Sequence, residues 1–274
     1  TEAAGTGIAT TAPATTLPGD SPCSTGNRPF ARDGLISAFG GADGDATQIS
    51  GIRWTSYPGC EQVMVDFLTA DGAPAGRLDP VGVEYDAPTG VVRVSLPADI
   101  NRSAVADSLL DGNLVKRAYV VATATNLAID MHLAAGRSYA LRAYEVDSPS
   151  RIVIDVMEQP DAQPVLGAAT GATVVVVSPP AGPVDSPLLV SGYVKGSYQT
   201  VTVDLIGRGD QNVAATGTAS PLPGNGLWRE FATTFHDVPA VPLDLVVTPD
   251  GDAEEAVTVA IDATSSNPAE PPQQ

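Results

Sequence analysis

The sequence predicts an all-β protein built as two β-sandwich domains, and three observations predict it. Short apolar runs repeat with a period of two, as in 151–156 (RIVIDV), where Ile152, Ile154 and Val156 share one face and Val153 and Asp155 the other. Turn formers are abundant, with 27 Gly and 24 Pro, while the many Val and Thr residues favour strands over helices. A length of 274 residues suits two domains of ordinary size, each able to bury its own core.

The same phase recurs in 63–67 (VMVDF), 127–131 (LAIDM) and 201–205 (VTVDL). Apolar triplets that face a core would turn Asp66, Asp130, Asp155 and Asp204 outward, as solvated positions that keep the sheet faces soluble.

Taken in order, the chain opens at 1–27 with a Thr-, Ala-, Gly- and Pro-rich stretch that reads as the flexible spacer of an exported protein. The first domain is expected over 28–158. A short strand is expected within 28–38 and a loop at 40–45. A meander follows, with strands at 52–57, 61–68, 82–85 and 91–96 separated by Pro-Gly, Asp-Gly and Pro-Thr-Gly turns. Residues 99–110 break that rhythm. Asp99 is available as a cap, and Ile100, Ala104 and Leu110 fall in helical phase before Gly112, which predicts one short helix. Strands resume at 114–122, 127–133, 139–144 and 151–156.

Residues 159–170 hold two prolines and a glycine with neither period, which predicts a flexible linker. Beyond it, 171–263 divides into about seven short strands at 174–178, 188–194, 200–206, 212–218, 228–235, 243–248 and 256–261, the count and spacing of an immunoglobulin-like sandwich. The polar, proline-bearing end, 264–274, is expected to be a disordered tail.

Charge excludes several partners. With 32 acidic against 14 basic residues the net charge is −18, so nucleic acid and anionic membrane surfaces are disfavoured for want of a basic footprint. No apolar run is long enough to span a bilayer. Cys23 and Cys60, an isolated pair in a chain that reads as exported, are expected to form a disulfide that ties the spacer to the first domain; a zinc site needs more ligands than these.

Catalytic constellations are missing. The two histidines, His132 and His236, each fall inside a strand pattern and neither lies in a nucleophile elbow. His132 shares the outer phase of Asp130 and is expected to be solvated. Acid pairs for glycoside hydrolysis are too abundant to signal anything. The turns at Asp43 to Asp45 and Asp250 to Asp252 lack the full spacing of a calcium loop. The expectation is a protein without catalytic residues, metal or cofactor.

Aromatic residues make up only 5%, so their positions carry weight. In the first domain Trp54, Tyr57, Tyr85 and Tyr119 are candidates to stack on sugar faces, with Arg53, Glu61, Arg93 and Arg117 supplying charged hydrogen bonds. Core packing competes for each ring. Trp228, with Phe231 and Phe235 near it, is the foremost core candidate.

Two resemblances follow from the strand motifs. EQVMVDFL (61–68), GVEY (82–85), VRVSLP (92–97), AYVV (118–121), IDMHL (129–133) and RIVIDV (151–156) resemble, in that order, the AMIN-like domain of actinobacterial exported proteins and lipoproteins. VVVVSPPAGPVDSPLLVSGYVKGSYQTVTVDL (174–205) followed by GNGLWREFATTF (224–235) resembles the Gmad-type immunoglobulin-like domain of bacterial spore germination proteins. The first resemblance implies a sandwich that targets envelope proteins to peptidoglycan, and the second an envelope interaction module. Together they imply a non-catalytic extracellular protein, lipid-anchored if its precursor is a lipoprotein, that recognises peptidoglycan or another wall glycan. The alternative is a protein–protein or structural module of an envelope or sporulation-type assembly.

Overall fold

Period-two sequence yields strands almost throughout the computed structural model, which describes Cys23 and residues 28–224 and 227–264. The first half supplies β1 (Gly34–Phe39), β2 (Gln48–Tyr57), β3 (Cys60–Leu68), β4 (Val81–Asp86), β5 (Val91–Ser95), β6 (Arg102–Ser103), β7 (Asp107–Leu109), β8 (Val115–Ala122), β9 (Leu127–Leu133), β10 (Tyr139–Val146) and β11 (Arg151–Glu158). The second half supplies β12 (Ala169–Thr170), β13 (Val174–Ser178), β14 (Gly182–Val184), β15 (Leu188–Lys195), β16 (Val201–Gly207), β17 (Val213–Ala219), β18 (Trp228–Phe235), β19 (Pro242–Pro249) and β20 (Val257–Ala263). The expected spacer and tail lie, Cys23 and Thr264 apart, outside the described residues.

The strands form three sheets. One runs β10-β11-β3-β2-β6, a second β14-β20-β19-β16-β17, and a long sheet runs β1-β4-β5-β9-β8-β18-β15-β13-β12 with β7 added beside β8. The first sheet packs on the β1-to-β8 half of the long one around Val63, Val65, Phe67, Val83, Val94, Ile129, Ile152 and Ile154. The second packs on the β18-to-β12 half around Val176, Val190, Val203, Leu245, Phe231 and Ile261. Each core gathers the alternate apolar residues of its strands, the burial that makes period two diagnostic.

What was expected as two separate sandwiches therefore shares one sheet. β8 and β18 pair in parallel at Val121 with Trp228 and at Ala122 with Arg229. Residues in register share a sheet face. Val120 and Ala122 enter the first core and Phe231 the second, so both partner sheets cover the same side of the long sheet. Val121, Tyr119, Tyr193 and Trp228 point to the opposite side and form a third buried cluster with Val175.

The segment 159–170 is docked rather than free. Val165 is buried in the first core, its amide donates to the Arg137 carbonyl and its carbonyl accepts from Gly136. Gly90 makes room for it: φ is +69° there, and a Cβ would stand 2.9 Å from a Val165 methyl. Residues 99–110 are not helical. They give β6 and β7, because three apolar positions in helical phase lose to ladders offered by β2 and β8. Cys23 and Cys60 are joined, with 6.3 Å between their Cα atoms. No helix among the described residues is long and apolar enough to cross a membrane.

Candidate functional site

The uncovered side of the long sheet is where side chains of both sandwiches meet. The sheet turns on itself at the β8–β18 seam and leaves a trough of about 740 Å³ lined by Glu84, Val91, Arg93 and Asp130 from one half and Val177, Ser191, Tyr193, Glu230 and Ala232 from the other. Asp33, Asp86 and Thr89 stand at its rim. These are the outward positions of β4, β5 and β9 on one wall and of β13, β15 and β18 on the other, so the period-two pattern itself places them.

Arg93 sits at the centre. It donates from Nε and Nη2 to both oxygens of Asp130, at 2.8 and 2.7 Å, and its Nη1 meets Glu230 Oε1 of the other sandwich at 2.8 Å. The hydrogen bond to Asp130 holds its guanidinium above the usual arginine range, burial opposing and both carboxylates assisting. Arg93 is the one cation among the residues lining the trough, and both flanks of it are committed to carboxylates of the chain. Glu84, Asp86 and Asp33 are exposed carboxylates, Asp86 accepting from Thr89 and Asp33 from the Ala87 amide, and Glu230 is half-buried. The trough thus offers acceptors to hydroxyl, amide or ammonium donors and repels anions.

Beneath one wall lies the seam cluster. Tyr119 meets Trp228 and His132 edge-on, both at 4.9 Å between ring centres, and lies 5.1 Å from Tyr193. His132 Nε2 contacts the Tyr193 hydroxyl, and Asp107 accepts from Arg117 at 2.6 Å and from the Trp228 indole at 3.0 Å. Burial first, and the Arg117 cation after it, push His132 down to about 4 against the pull of Asp130. Burial likewise raises the Tyr193 and Tyr119 hydroxyls.

The eight residues expected to read a ligand are scattered. Arg93 and the edge of Tyr85 reach the trough, but the Tyr85 ring is core. Arg117 and Tyr119 belong to the seam. Arg53 lies on the far face of the β2–β3 sheet, 49% exposed and paired bidentately with Asp66 at 2.7 and 2.9 Å, while Trp54 turns inward against the first core. Tyr57 lines a smaller hollow of about 270 Å³ beside Glu61, Asn113 and Arg137. Glu61 is buried, accepting from the amides of Asn113, Leu114 and Val115 at 2.6, 3.1 and 2.8 Å.

The outward aspartates divide. Asp66 and Asp204 keep solvent contact, whereas Asp130 and Asp155 are fully buried, Asp155 against Arg142 at 2.7 Å. His132, expected to be solvated, is buried together with Asp130 because the second sandwich closes over that strand face. The acidic turns are engaged by backbone, Asp45 accepting from Gly76 and Arg77 and Asp250 from Gln199 and Thr200. Among the described residues no three His, Cys, Asp or Glu groups converge as metal ligands would.

No family model matches the chain, and no curated protein matches it. Among solved structures, the chain is similar to the C-terminally truncated trimeric ectodomain of the C. elegans fusion protein EFF-1, at 8% identity and a TM-score of 0.26, over 79% of this chain and 58% of that one. The chain spans somewhat over half the length of that ectodomain, and a superposition this loose carries no argument about fold or function.

Proposed function

We propose that this is a non-catalytic, extracellular binding protein of the cell envelope, and that its ligand lies in the trough. The observation that carries this reading is the trough itself: a roomy concavity on a sheet face shared by two sandwiches, with apolar walls and carboxylates gathered around the single cation of its lining, Arg93. Donor-rich, weakly anionic polymers suit its acceptors. Peptidoglycan meets that description through its sugar hydroxyls and the amides and amines of its peptide stems, and the strand motifs resembling AMIN-like and Gmad-type domains support the same ligand. Phosphate-rich wall polymers are disfavoured by the chain's −18 charge. The disulfide supports an oxidising compartment, and export with lipid anchoring of the precursor belongs to the same proposal.

Sedimentation with purified insoluble peptidoglycan tests it. Ala232→Trp fills the trough while leaving Arg93, Asp130 and Glu230 in the chain and is expected to abolish co-sedimentation, whereas Arg53→Ala on the far sheet face leaves it unchanged. If the unaltered protein stays in the supernatant at low and moderate salt, the glycan reading fails and a protein partner takes its place.

A further inference from the structure

Resting on the reading of the trough as the binding site, we propose that His132 is an acid-sensitive latch, whose protonation opens the seam between the two sandwiches and releases what the trough holds. The seam is the weak line of the long sheet. β8 and β18 pair at only two positions, whereas His132's own strand, β9, is paired along most of its length with both β5 and β8. Exposing His132 by pulling β9 from its ladders would break many hydrogen bonds. Separating the sandwiches exposes it by breaking few.

The groups around the imidazole favour its neutral form while the seam is closed. From its own strand it faces Asp130, whose two oxygens are held by Arg93. Opposite on β8 stand Arg117, in register with it, and Tyr119. From β5 it meets Val91. The second sandwich brings Tyr193 on β15, with Trp228 and Glu230 on β18, the latter turned to Arg93, and β7 brings Asp107, turned to Arg117 and Trp228. A neutral ring satisfies Tyr193 in either tautomer. An imidazolium must donate from both nitrogens, and Nδ1 has no acceptor among the described residues.

The sign follows from the direction of the shift. A pKa lowered from 6.5 to about 4 in the closed form means closure is fully favoured above pH 6.5 and loses ground as pH falls from 6.5 to about 4, where the loss is complete. That difference corresponds to roughly 300-fold tighter proton binding once the seam is open. Opening carries Tyr193 and Glu230 away from Asp130 and Arg93, which are the two walls of the trough.

Small-angle scattering of the free protein from pH 7 to 3.5, with far-ultraviolet circular dichroism alongside, tests the latch without any ligand. The radius of gyration is expected to hold above pH 6.5 and to rise between pH 6.5 and about 4 while the strand signal persists. His132→Phe should remove that rise, and Tyr193→Phe should move it to higher pH. An unchanged profile down to pH 3.5, the same rise in His132→Phe, or loss of the strand signal at the same midpoint overturns the proposal. Should His132→Phe not fold, nuclear magnetic resonance titration of the unaltered protein decides. A His132 midpoint between 6.5 and about 4 that coincides with the scattering change supports the latch, and a His132 titration with no change in scattering overturns it. Wall sedimentation at pH 7 tests the trough separately, so failure of one is distinguishable from failure of the other.

Discussion

Glu230 of the second sandwich reaches Arg93 of the first at 2.8 Å, and behind Arg93 the Asp130 side chain keeps only 1% of its surface exposed. The two carboxylates on one guanidinium are not equivalent. Removing Arg93 strands a buried charge, so Arg93→Ala should cost about 3–5 kcal/mol. Glu230 is partly wet, and Glu230→Gln leaves the Asp130 pair intact, so it should cost about 1 kcal/mol or less. Urea unfolding of both variants checks this, and equal losses would refute the unequal roles.

Glu61→Ala should be among the more damaging single changes in the first sandwich. Its carboxylate satisfies three successive amides, and Gly112 approaches so closely that a Cβ there would stand 2.2 Å from Glu61 Oε2. At about 1–3 kcal/mol per buried unpaired group, a loss of roughly 3 kcal/mol or more is expected. Glu61→Gln retains one acceptor oxygen and should recover part of it, as read by denaturant midpoint.

The docked 159–170 segment should resist protease while Val165 is in place. Val165→Asp puts a carboxylate into the first core, and Gly90→Ala strains a positive φ as well as crowding the valine. Either variant is expected to open a new cleavage site within 159–170, seen by mass spectrometry of the fragments. Equal cleavage in the unaltered protein would show that the docking is too weak to matter.

Breaking the Cys23–Cys60 bridge, which closes a separation of 37 residues, should lower stability by about 4 kcal/mol on the chain-entropy estimate. Comparing the paired Cys→Ser variant with the oxidised protein by thermal and urea unfolding gives the number. No measurable loss would mean that the bridge constrains little of the unfolded chain.

Strands were legible because alternation survives without knowledge of neighbours: Val63, Val65 and Phe67 read as inward and are inward. Alternation names a face but not what covers it. Asp130 and His132 were assigned correctly to the outer phase and wrongly to water, since the cover comes from Tyr193 and Glu230, some sixty to a hundred residues away. A local signal for the seam did exist. Residues 118–122 (AYVVA) are apolar on both faces, the mark of a strand buried on two sides, and the Trp228 indole needed a polar partner that Asp107 provides. The scatter of the eight candidate ligand residues has the same origin, because residue type alone cannot tell a ring that waits for sugar from one that fills a core.

The two-position ladder between β8 and β18 also sets an order of events during synthesis. The first half leaves the ribosome with the β8 edge open at Val121 and Ala122 and with Tyr119 and Val121 lacking their cover, and it stays so until Trp228 has been made. Over that interval β7 is the neighbour that shields β8, through its short pairing at 107–109. A nascent chain stalled before Trp228 is therefore a sticky species, prone to recruit strands from other copies, and the second half is in this sense the lid that makes the first safe to release.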